Sequence, residues 1–577
     1  GTSPDITTIG TQTCGGGPCE YLTVNNGLIG PYNTVAPAFT NFSIDDTWKP
    51  NDRVTVNLGL HYDNFKYNLG DTTQGASNQP SGAAARTLWQ NSFNQFYCFD
   101  PVAGLVQQAA PTSVTPCPAG TVAANWTNQS PSSNNYQAWQ PRVGATYSAN
   151  PQNVFRFSWG KYEQPASSAF QQYNNANYNL PVADQAFYGF GFHSPAHQIF
   201  PEESYNLDFS WEHQVRNSDL SWKITPFDRN TRNEIFNVLL DPRTNFVSGI
   251  NVGRKKVQGV EIAIRKGNFA QNGFAGMLSY TYTHGSVRFD TLPSGTTVVD
   301  GINNAITSYN ALTQAGGGSP CYTLATAGGP GTPTACGPGT IANPYYNDAP
   351  HALFSANSDF VVYNQVPGNG PSAVASSYII PHVAALVLNY KRNKWAFTPM
   401  LQMSAGGQYG SPVQGVGIDP TSCAGTLAGS PTGDPRYPFG APGGSPYDAS
   451  TCGASIVAPD PVTHQFDNFG AFREPTQLTG NMQITYQASP RITLQLLAVN
   501  VYNRCFGGTQ AVWRTNSNTG CWYTAGGQYT GNFYNPGDVV QPFTAFPYQP
   551  TFGNVFQQAY GGQANPFQMF FSANIKI

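Results

Sequence analysis

The stretch of sequence that decides the fold is Arg53–Asp63, which reads RVTVNLGLHYD. Apolar and polar residues alternate strictly along it. One side of an extended chain would carry only the apolar set, which is Val54, Val56, Leu58, Leu60 and Tyr62. A period of two residues predicts a β-strand, because successive side chains of a strand point to opposite faces. The segment is therefore expected to lie between an apolar and a hydrated environment.

The same alternation recurs further along the chain. It is found in Phe155–Trp159 (FRFSW), Tyr205–Trp211 (YNLDFSW) and Val260–Arg265 (VEIAIR). In each segment charged or amide side chains lie opposite apolar ones, which fits a water-filled lumen better than the core of a β-sandwich. A sandwich also alternates, so the connections between the strands have to decide between the two.

Short turns and very long connections alternate along the chain. The short turns are Lys49–Asp52, Asn150–Asn153, Arg216–Asp219, Asn268–Asn272, Tyr390–Asn393 and Ser489–Arg491. The long stretches are 65–135, 165–203, 231–252, 288–380, 406–474 and 503–565. Outer-membrane β-barrels have short periplasmic turns and long extracellular loops. We therefore predict an all-β fold, a transmembrane antiparallel β-barrel in the bacterial outer membrane, with its long loops outside the cell.

The pattern predicts about thirteen strands in a single outer-membrane barrel domain over residues 1–577. They are 39–48, 53–64, 136–148, 153–164, 204–215, 219–230, 253–266, 273–286, 380–390, 394–405, 476–488, 491–502 and 566–577. The terminal strand, Pro566–Ile577 (PFQMFFSANIKI), alternates to its end and is expected to place the C-terminus in the periplasm. Single-chain bacterial barrels have even strand numbers. The count here is odd, and the first predicted strand runs toward the periplasm because it enters a short turn. We therefore expect a partial barrel, with further strands upstream.

The composition sets the class of protein. Of the 577 residues, 10% are charged and 13% are aromatic, and no apolar run approaches the length of a membrane helix. A formal net charge of −3 gives no reason to expect nucleic acid as a partner. The sequence contains none of the common hydrolase, metalloprotease or nucleotide-binding motifs, so neither an enzyme nor a cofactor is expected.

The ten cysteines fall into five couples that are close in sequence. They are Cys14 with Cys19, Cys98 with Cys117, Cys321 with Cys336, Cys423 with Cys452, and Cys505 with Cys521. Each couple lies in a loop-like stretch on the long-loop side, with no cysteine in a predicted strand. An even number clustered in this way predicts disulfides formed in an oxidising compartment, bracing extracellular loops. Unpaired or metal-binding thiols are the alternative, but no CxxC pair or nearby histidine spacing supports a metal site.

A few other residues are candidates for binding. The run Arg254–Lys256 lies at the loop end of a predicted strand, where it would contact an anionic ligand or lipopolysaccharide phosphate, or simply solvent. Asp45 and Asp46 are expected to face the lumen or a turn, with calcium binding as the rarer alternative. His61 and His382 fall on predicted strands, and His193, His197 and His464 fall in loops. A plain surface or lumen role is expected for each histidine.

Several segments together resemble the Oar-like branch of the TonB-dependent outer-membrane receptors. The clearest is Phe42–Asp63 (FSIDDTWKPNDRVTVNLGLHYD), which is similar to a hairpin of that family. The others follow in family order: Gln140–Tyr147, Phe155–Gly160, Ser204–Phe209, Gln258–Glu261, Leu278–Thr283, Gln408–Pro412 and Ala498–Asn503. The resemblance implies an N-terminal plug, a segment that contacts a TonB-type energy coupler, and a barrel of about 22 strands. The strands found here would be the C-terminal part of it.

The leading hypothesis is thus the barrel portion of a TonB-dependent importer. Its loops are rich in amide, hydroxyl and aromatic side chains and poor in charge, which favours an oligosaccharide or a peptide over a highly charged ligand; which residues bind it is unknown. Three other classes remain: a passive porin-like channel, a structural or adhesive scaffold that binds other surface proteins, and a secreted surface-layer protein. Outer-membrane lipid and lipopolysaccharide are expected partners of all but the last.

Overall fold

A computed structural model shows the arrangement of most of the predicted strands. It describes residues 8–9, 12–13, 35–69, 94, 97–101, 105–108, 117–125, 127, 132–171, 188, 191, 198–241, 246–326, 328–337, 339–362, 379–409, 416–424, 452–459, 466, 468–470, 472–473, 476–506, 514–516, 523–525 and 567–576. No helix in these ranges is long and apolar enough to cross a membrane.

One large sheet dominates the described structure. Its strands are β1 (Val35–Asn51), β2 (Val54–Leu69), β3 (Ser133–Asn150), β4 (Asn153–Gln164), β5 (Glu202–Gln214), β6 (Leu220–Asp241), β7 (Phe246–Lys266), β8 (Gly273–Phe289), β9 (Phe360–Val361), β10 (His382–Arg392), β11 (Trp395–Ser404), β12 (Thr476–Ser489), β13 (Ile492–Phe506) and β14 (Gln568–Ile575). Apart from the short β9, which pairs beside β8, each strand pairs antiparallel with the next one in the chain. Within the described residues β1 and β14 each have a neighbour on one side only.

Short connections join alternate pairs of strands at one end of the sheet, which we call the turn end. Asn393 has a φ of 55° in the turn between β10 and β11, and Asn217 has a φ of 56° between β5 and β6. Asparagine tolerates this left-handed conformation, which tight hairpin turns require. The opposite end, which we call the loop end, carries the long connections.

Each predicted strand segment overlaps a strand of the sheet, with ends that differ by a few residues, and several strands extend further. The largest difference is at 231–252, where we expected a long loop. β6 and β7 instead continue as a paired hairpin, from Ile235↔Asn251 to Asp241↔Phe246. Asn233 has a φ of 54°, and the pairing register shifts between Thr231 and Glu234. A bulge of this kind breaks the two-residue alternation while the pairing continues, which explains why the pattern predicted a loop.

The sheet has one apolar and one polar face. Because directly paired residues of an antiparallel sheet lie on the same side, the register assigns every strand residue to a face. The apolar face exposes large hydrophobic side chains: Phe42, Ile44, Trp48, Leu58, Tyr147, Phe157, Leu207, Phe209, Leu388, Phe397, Leu401, Met569 and Phe571. So much exposed apolar surface is expected for a sheet that faces lipid hydrocarbon.

The described residues outside the large sheet form smaller elements. Their helices are α1 (Ser168–Gln171) and α2 (Val298–Asn310), with 3-10 turns at Gln314–Gly316 and Pro420–Ser422. The short paired strands are Thr8–Ile9 with Gln12–Thr13, Tyr97–Asp100 with Leu105–Gln108 and Val122–Ala123, Cys321–Thr323 with Pro333–Thr334 and Thr340–Ala342, Gln408–Tyr409 with Phe472–Arg473, Val416–Ile418 with Ser455–Val457, and Arg514–Asn516 with Tyr523–Ala525. We call residues 290–359, 416–424 and 452–459 the cap.

The cap is a folded unit with a hydrophobic core. Helix α2 begins with a capping box, in which Thr297 and Asp300 satisfy each other's backbone N–H groups. Four of its buried side chains, Val298, Val299, Ile302 and Ile306, belong to one cluster with residues of other loops and of the sheet. The buried members are Tyr97, Ala124, Tyr188, Ile250, Val252, Val287, Phe289, Leu292, Val298, Val299, Ile302, Ile306, Val362, Val457 and Phe469.

Candidate functional site

The polar face of the sheet carries charged side chains that pair with one another. Arg156 Nε donates to Glu212 Oε1 at 2.9 Å, and Lys223 Nζ lies 3.5 Å from the same oxygen. Further from the turn end, Asp208 accepts from Ser158 Oγ at 3.3 Å and lies 3.5 Å from Arg229. These pairs join neighbouring strands across the same face, as expected where a polar wall meets water.

A second polar group lies further along the same face, on β2 and β3. His61 Nε2 is 2.9 Å from Asp63 Oδ2, and the Gln140 amide donates to the same carboxylate. The Arg142 guanidinium lies over the ring of Tyr162, 4.5 Å from its centroid, so it makes a cation–π contact. This face therefore offers amide, aromatic and paired charged groups to whatever lies against it.

The cap covers the loop end of this polar face. Val287 and Phe289 of β8 pair directly with Lys255 and Gly253 of β7, which places both on the polar face, yet they are only 1% and 5% exposed. Phe289 packs against Phe469 of a neighbouring loop, with ring centroids 5.6 Å apart. The hydrophobic core of the cap thus includes Val287 and Phe289 from the polar face of the sheet.

A second loop packs on the polar face at β2 and β3. Phe65 and Tyr67 follow His61 and Asp63 on the same side of β2, and they are 4% and 0% exposed. The Tyr67 hydroxyl donates to the Ala166 carbonyl at 2.7 Å. At its loop end the polar face is thus covered by this loop at β2 and β3 and by the cap at β8.

Titratable side chains inside the cap are shifted by burial. The Tyr345 hydroxyl accepts from the Ile418 N–H at 3.1 Å, and burial raises the pKa of this tyrosine. Burial also lowers the pKa of His351, which Asp348 partly opposes. Both residues lie in loops and contribute to packing in the cap.

Three of the five cysteine couples are joined by disulfides in the structure. Their Cα–Cα distances are 5.7 Å for Cys98–Cys117, 5.1 Å for Cys321–Cys336 and 3.8 Å for Cys423–Cys452. The last two brace the cap.

The other two couples are not tested by the structure. The side chains of Cys14, Cys19, Cys505 and Cys521 lie outside the described part of the chain. The pairing of Cys14 with Cys19 and of Cys505 with Cys521 therefore stays a prediction.

The expectation that no cysteine lies in a strand was wrong. Cys98 and Cys321 lie in short strands of the loops, and the backbone of Cys505 belongs to β13. Loops of this length form small sheets of their own, so a cysteine in a loop is not always outside a strand.

The two neighbouring aspartates point to opposite faces. Asp45 pairs with Gly59 on the polar face, whereas Asp46 pairs with Leu58 on the apolar face, between Ile44 and Trp48. The expectation that both face the lumen or a turn was therefore wrong for Asp46. A strand alternates, so two adjacent residues cannot share a face.

The basic run Arg254–Lys256 is also divided between the faces. Lys255 lies on the polar face and pairs with Glu234, which is 0% exposed. Arg254 and Lys256 lie on the apolar face. The sequence pattern missed the Lys255–Glu234 pair, because the bulge at Asn233 hides the register that brings the two together.

The two histidines predicted on strands, His61 and His382, do lie in strands of the sheet. His382 Nδ1 lies 2.9 Å from the Tyr280 hydroxyl, and His61 contacts Asp63 as described above. His193, His197 and His464 lie outside the described residues. Across the described ranges no group of three or more His, Cys, Asp or Glu side chains is arranged to hold a metal ion.

Comparison with known proteins gives one family match. The family model described as "TonB dependent receptor-like, beta-barrel" matches residues 11–503, a stretch that includes β1 to β12 and most of β13. No curated protein sequence matches the chain significantly.

Similar solved structures include two transporters and an uptake receptor, to which the chain shows only low identity. The copper transporter OprC is 10% identical, with 81% of this chain and 42% of that chain covered and a TM-score of 0.36. The ferric yersiniabactin uptake receptor FyuA from Yersinia pestis is 11% identical, with 82% of this chain and 42% of that chain covered and a TM-score of 0.35. The FrpB iron transporter from Neisseria meningitidis is 8% identical, with 81% of this chain and 52% of that chain covered and a TM-score of 0.34. The chain spans about half the length of these proteins or less. The family model, rather than any single structure, establishes the relationship.

Proposed function

This chain belongs to the TonB-dependent receptor-like β-barrel family, and we propose that it is the barrel portion of an outer-membrane transporter that captures a polar ligand and imports it. The observation that carries the proposal is the family match over residues 11–503, which extends across nearly the whole sheet. The chain is accordingly an outer-membrane protein, and its proposed activity is transport rather than catalysis.

The ligand we propose is an oligosaccharide or a peptide of low net charge. The charged groups of the polar face are largely paired, as in Arg156–Glu212 and Arg229–Asp208. Such a wall attracts a highly charged ligand less than a wall with charges of one sign would. Its amide and aromatic groups suit hydroxyl and peptide groups, which form hydrogen bonds and stack on rings.

Further features follow from the same proposal. The resemblance of Phe42–Asp63 supports placement in the Oar-like branch, and the family implies a plug and a contact with a TonB-type energy coupler upstream of the strands described here. We place the turn end and the C-terminus in the periplasm and the loop end outside the cell, because outer-membrane barrels have long loops outside. The remaining couples, Cys14 with Cys19 and Cys505 with Cys521, are proposed as disulfides of the same exposed loops.

An uptake measurement tests the transport activity. Cells that produce the full-length receptor are given short neutral oligosaccharides or short neutral peptides, and accumulation is followed by mass spectrometry. We expect uptake of one class that requires both the receptor and the energy coupler. Uptake that survives loss of the coupler would instead support a passive channel. If neither class enters in a receptor-dependent way, the proposed ligand class is wrong.

The orientation has a separate test. A short peptide tag is inserted after Gly317, which is exposed in the cap, or after Asn393, which lies in a turn at the turn end. An antibody added to intact cells is expected to bind the first variant and not the second. Binding to the Asn393 tag alone would reverse the proposed orientation.

A further inference from the structure

Four cations from three strands lie together on the apolar face, near the loop end. Arg232 belongs to β6, Arg254 and Lys256 to β7, and Arg288 to β8. The register places them on the side of Leu207, Val260 and Tyr282. Arg232 is four residues from Asp228, which pairs with Leu207, and Lys256 is four residues from Val260, which pairs with Tyr282. Residues an even number apart in a strand share a face. We call these four residues the cation patch.

The cation patch begins where the apolar belt ends. On β7 the apolar side chains of this face are Ile264, Ile262 and Val260, followed by Gln258 and then Lys256. Counting from Lys266, the last residue of β7, Lys256 is ten residues away (266 − 256). About 9–11 residues of a tilted strand span the hydrocarbon core. Lys256 therefore lies at the level of the lipid headgroups, and the arginines lie slightly above it.

The arrangement of charges leaves this patch short of anions. Arg254 and Arg288 are directly opposite each other, and like charges in that position destabilise a sheet. Each has one carboxylate partner, Asp290 at 3.1 Å for Arg254 and Asp359 at 2.9 Å for Arg288, but their side chains remain 63% and 49% exposed. Both arginines thus keep donors free on the outer side.

The other two cations of the patch are exposed and form no ion pair within 4.0 Å among the described residues. Glu203, which is opposite Arg232, is 2.7 Å from Lys161 and is thus shared with another cation. Asp228, the carboxylate nearest in register to Lys256, accepts from Gln258 at 3.2 Å. Lys256 is the least compensated charge of the patch.

We propose that the cation patch binds phosphate groups of lipopolysaccharide in the outer leaflet. Cations that point outward just above a lipid-facing belt meet the headgroups of that leaflet, and guanidinium groups bind phosphate with paired hydrogen bonds. The inference rests on the orientation given under the proposed function, with the loop end outside the cell. Transport itself does not depend on it.

The test compares lipopolysaccharide binding by the full-length receptor and by a triple variant, Arg232→Gln, Arg254→Gln and Lys256→Gln. The purified receptor in detergent is titrated with phosphorylated lipopolysaccharide and bound molecules are counted by native mass spectrometry. Each lysine or arginine near an anionic surface contributes about fivefold to binding, so the triple variant is expected to bind about a hundredfold more weakly. Dephosphorylated lipopolysaccharide is expected to bind as weakly to the unaltered receptor.

The matched control removes three cations from the turn end, with Lys266→Gln, Arg392→Gln and Lys394→Gln. Its affinity for lipopolysaccharide is expected to stay within about twofold of the unaltered receptor, because screening confines such attractions to about 8–10 Å. Equal losses in both triple variants would mean that overall charge, not the patch, holds the lipid. Unchanged binding in the first variant would overturn the proposal.

Two further measurements complete the test. One distinguishes lipopolysaccharide from free phosphate as the ligand, and the other distinguishes failure of this proposal from failure of the proposed function. Displacement of lipopolysaccharide by an equal concentration of inorganic phosphate would show a site for free anions, and the lipid assignment would be wrong. Failure of oligosaccharide and peptide uptake with normal lipopolysaccharide binding would reject the proposed ligand class and leave the cation patch intact.

Discussion

Replacing Ile306 with alanine tests whether the cap is a folded unit with a hydrophobic core. Ile306 lies on α2, is 0% exposed and belongs to the cluster that includes Val299 and Ile302. The change removes three carbon atoms from a closed site, which costs the transfer free energy of those atoms and leaves a cavity. Substitutions of this kind cost about 2–5 kcal/mol, and for the completely buried Ile306 we expect a cost of about 3.5 kcal/mol.

Hydrogen exchange followed by mass spectrometry of the full-length receptor measures this cost directly. If the cap opens locally without unfolding the sheet, amide exchange in α2 depends on the free energy of that opening. A loss of about 3.5 kcal/mol then accelerates exchange roughly 300-fold, since each ~1.4 kcal/mol is a factor of ten. Amides of β4 and β5, which contribute nothing to this core, are expected to keep their rates.

The matched control is Thr307→Ala, one residue along the same helix but exposed. Alanine favours the helix slightly more than threonine does, so exchange in α2 is expected to stay the same or to slow. An acceleration below about fivefold in the Ile306 variant would contradict the free-energy cost expected for a cavity at a closed site. An equal acceleration in β4 and β5 would show instead that the cap and the whole sheet unfold together.

Three other predictions concern the cap. Thr297→Ala removes the capping side chain of α2 and should destabilise the helix by about 1 kcal/mol, with Thr297→Ser close to the unaltered protein, as judged by exchange in its first turn. Replacing Cys321 and Cys336 together by serine should destabilise the cap by about 3 kcal/mol and expose the segment between them to protease, whereas unchanged resistance would rule out a bracing role. Burial lowers the pKa of His351, so its neutral form is favoured in the folded cap; cap stability should be complete above about pH 6.5 and fall as the pH drops below it. His351→Gln should flatten this dependence in a protease-resistance profile, and an unchanged profile would assign it to another group.

The sheet was predictable because one face of each strand meets an apolar environment and the other a polar one. Arg53–Asp63 contains the whole signal, since a register slip of one residue would bring Asp63 and His61 to the apolar face. The bulge at Asn233 is where this signal fails. One added residue inverts the alternation, so the pattern predicts a loop where the strands are paired and the hydrogen bonding continues.

Side-chain partners across strands were less predictable than the strands themselves. Sequence proximity grouped Arg254 with Lys255 and Asp45 with Asp46, and alternation separates both groups. Sequence proximity also could not place Arg232 and Arg288 near Lys256, because that placement depends on the register of two hairpins. Helix α2 is a different case, as Thr297 and Asp300 form a capping box and apolar residues follow at helical spacing, so its signal was present within the stretch expected to be a loop.

The polar faces of the strands also contain a signal for the cap. On β2 that face runs from Asn57 through His61 and Asp63 to Phe65 and Tyr67, and it becomes aromatic only near the loop end. A large apolar side chain on a hydrated wall loses about 1.5–3 kcal/mol of burial free energy unless something covers it. Phe65 and Tyr67 are buried under a loop, and Val287 and Phe289 of β8 are buried by the cap. The point at which a polar face turns apolar therefore marks where the water-facing wall ends and the folded loops begin, and a sequence alone contains that boundary.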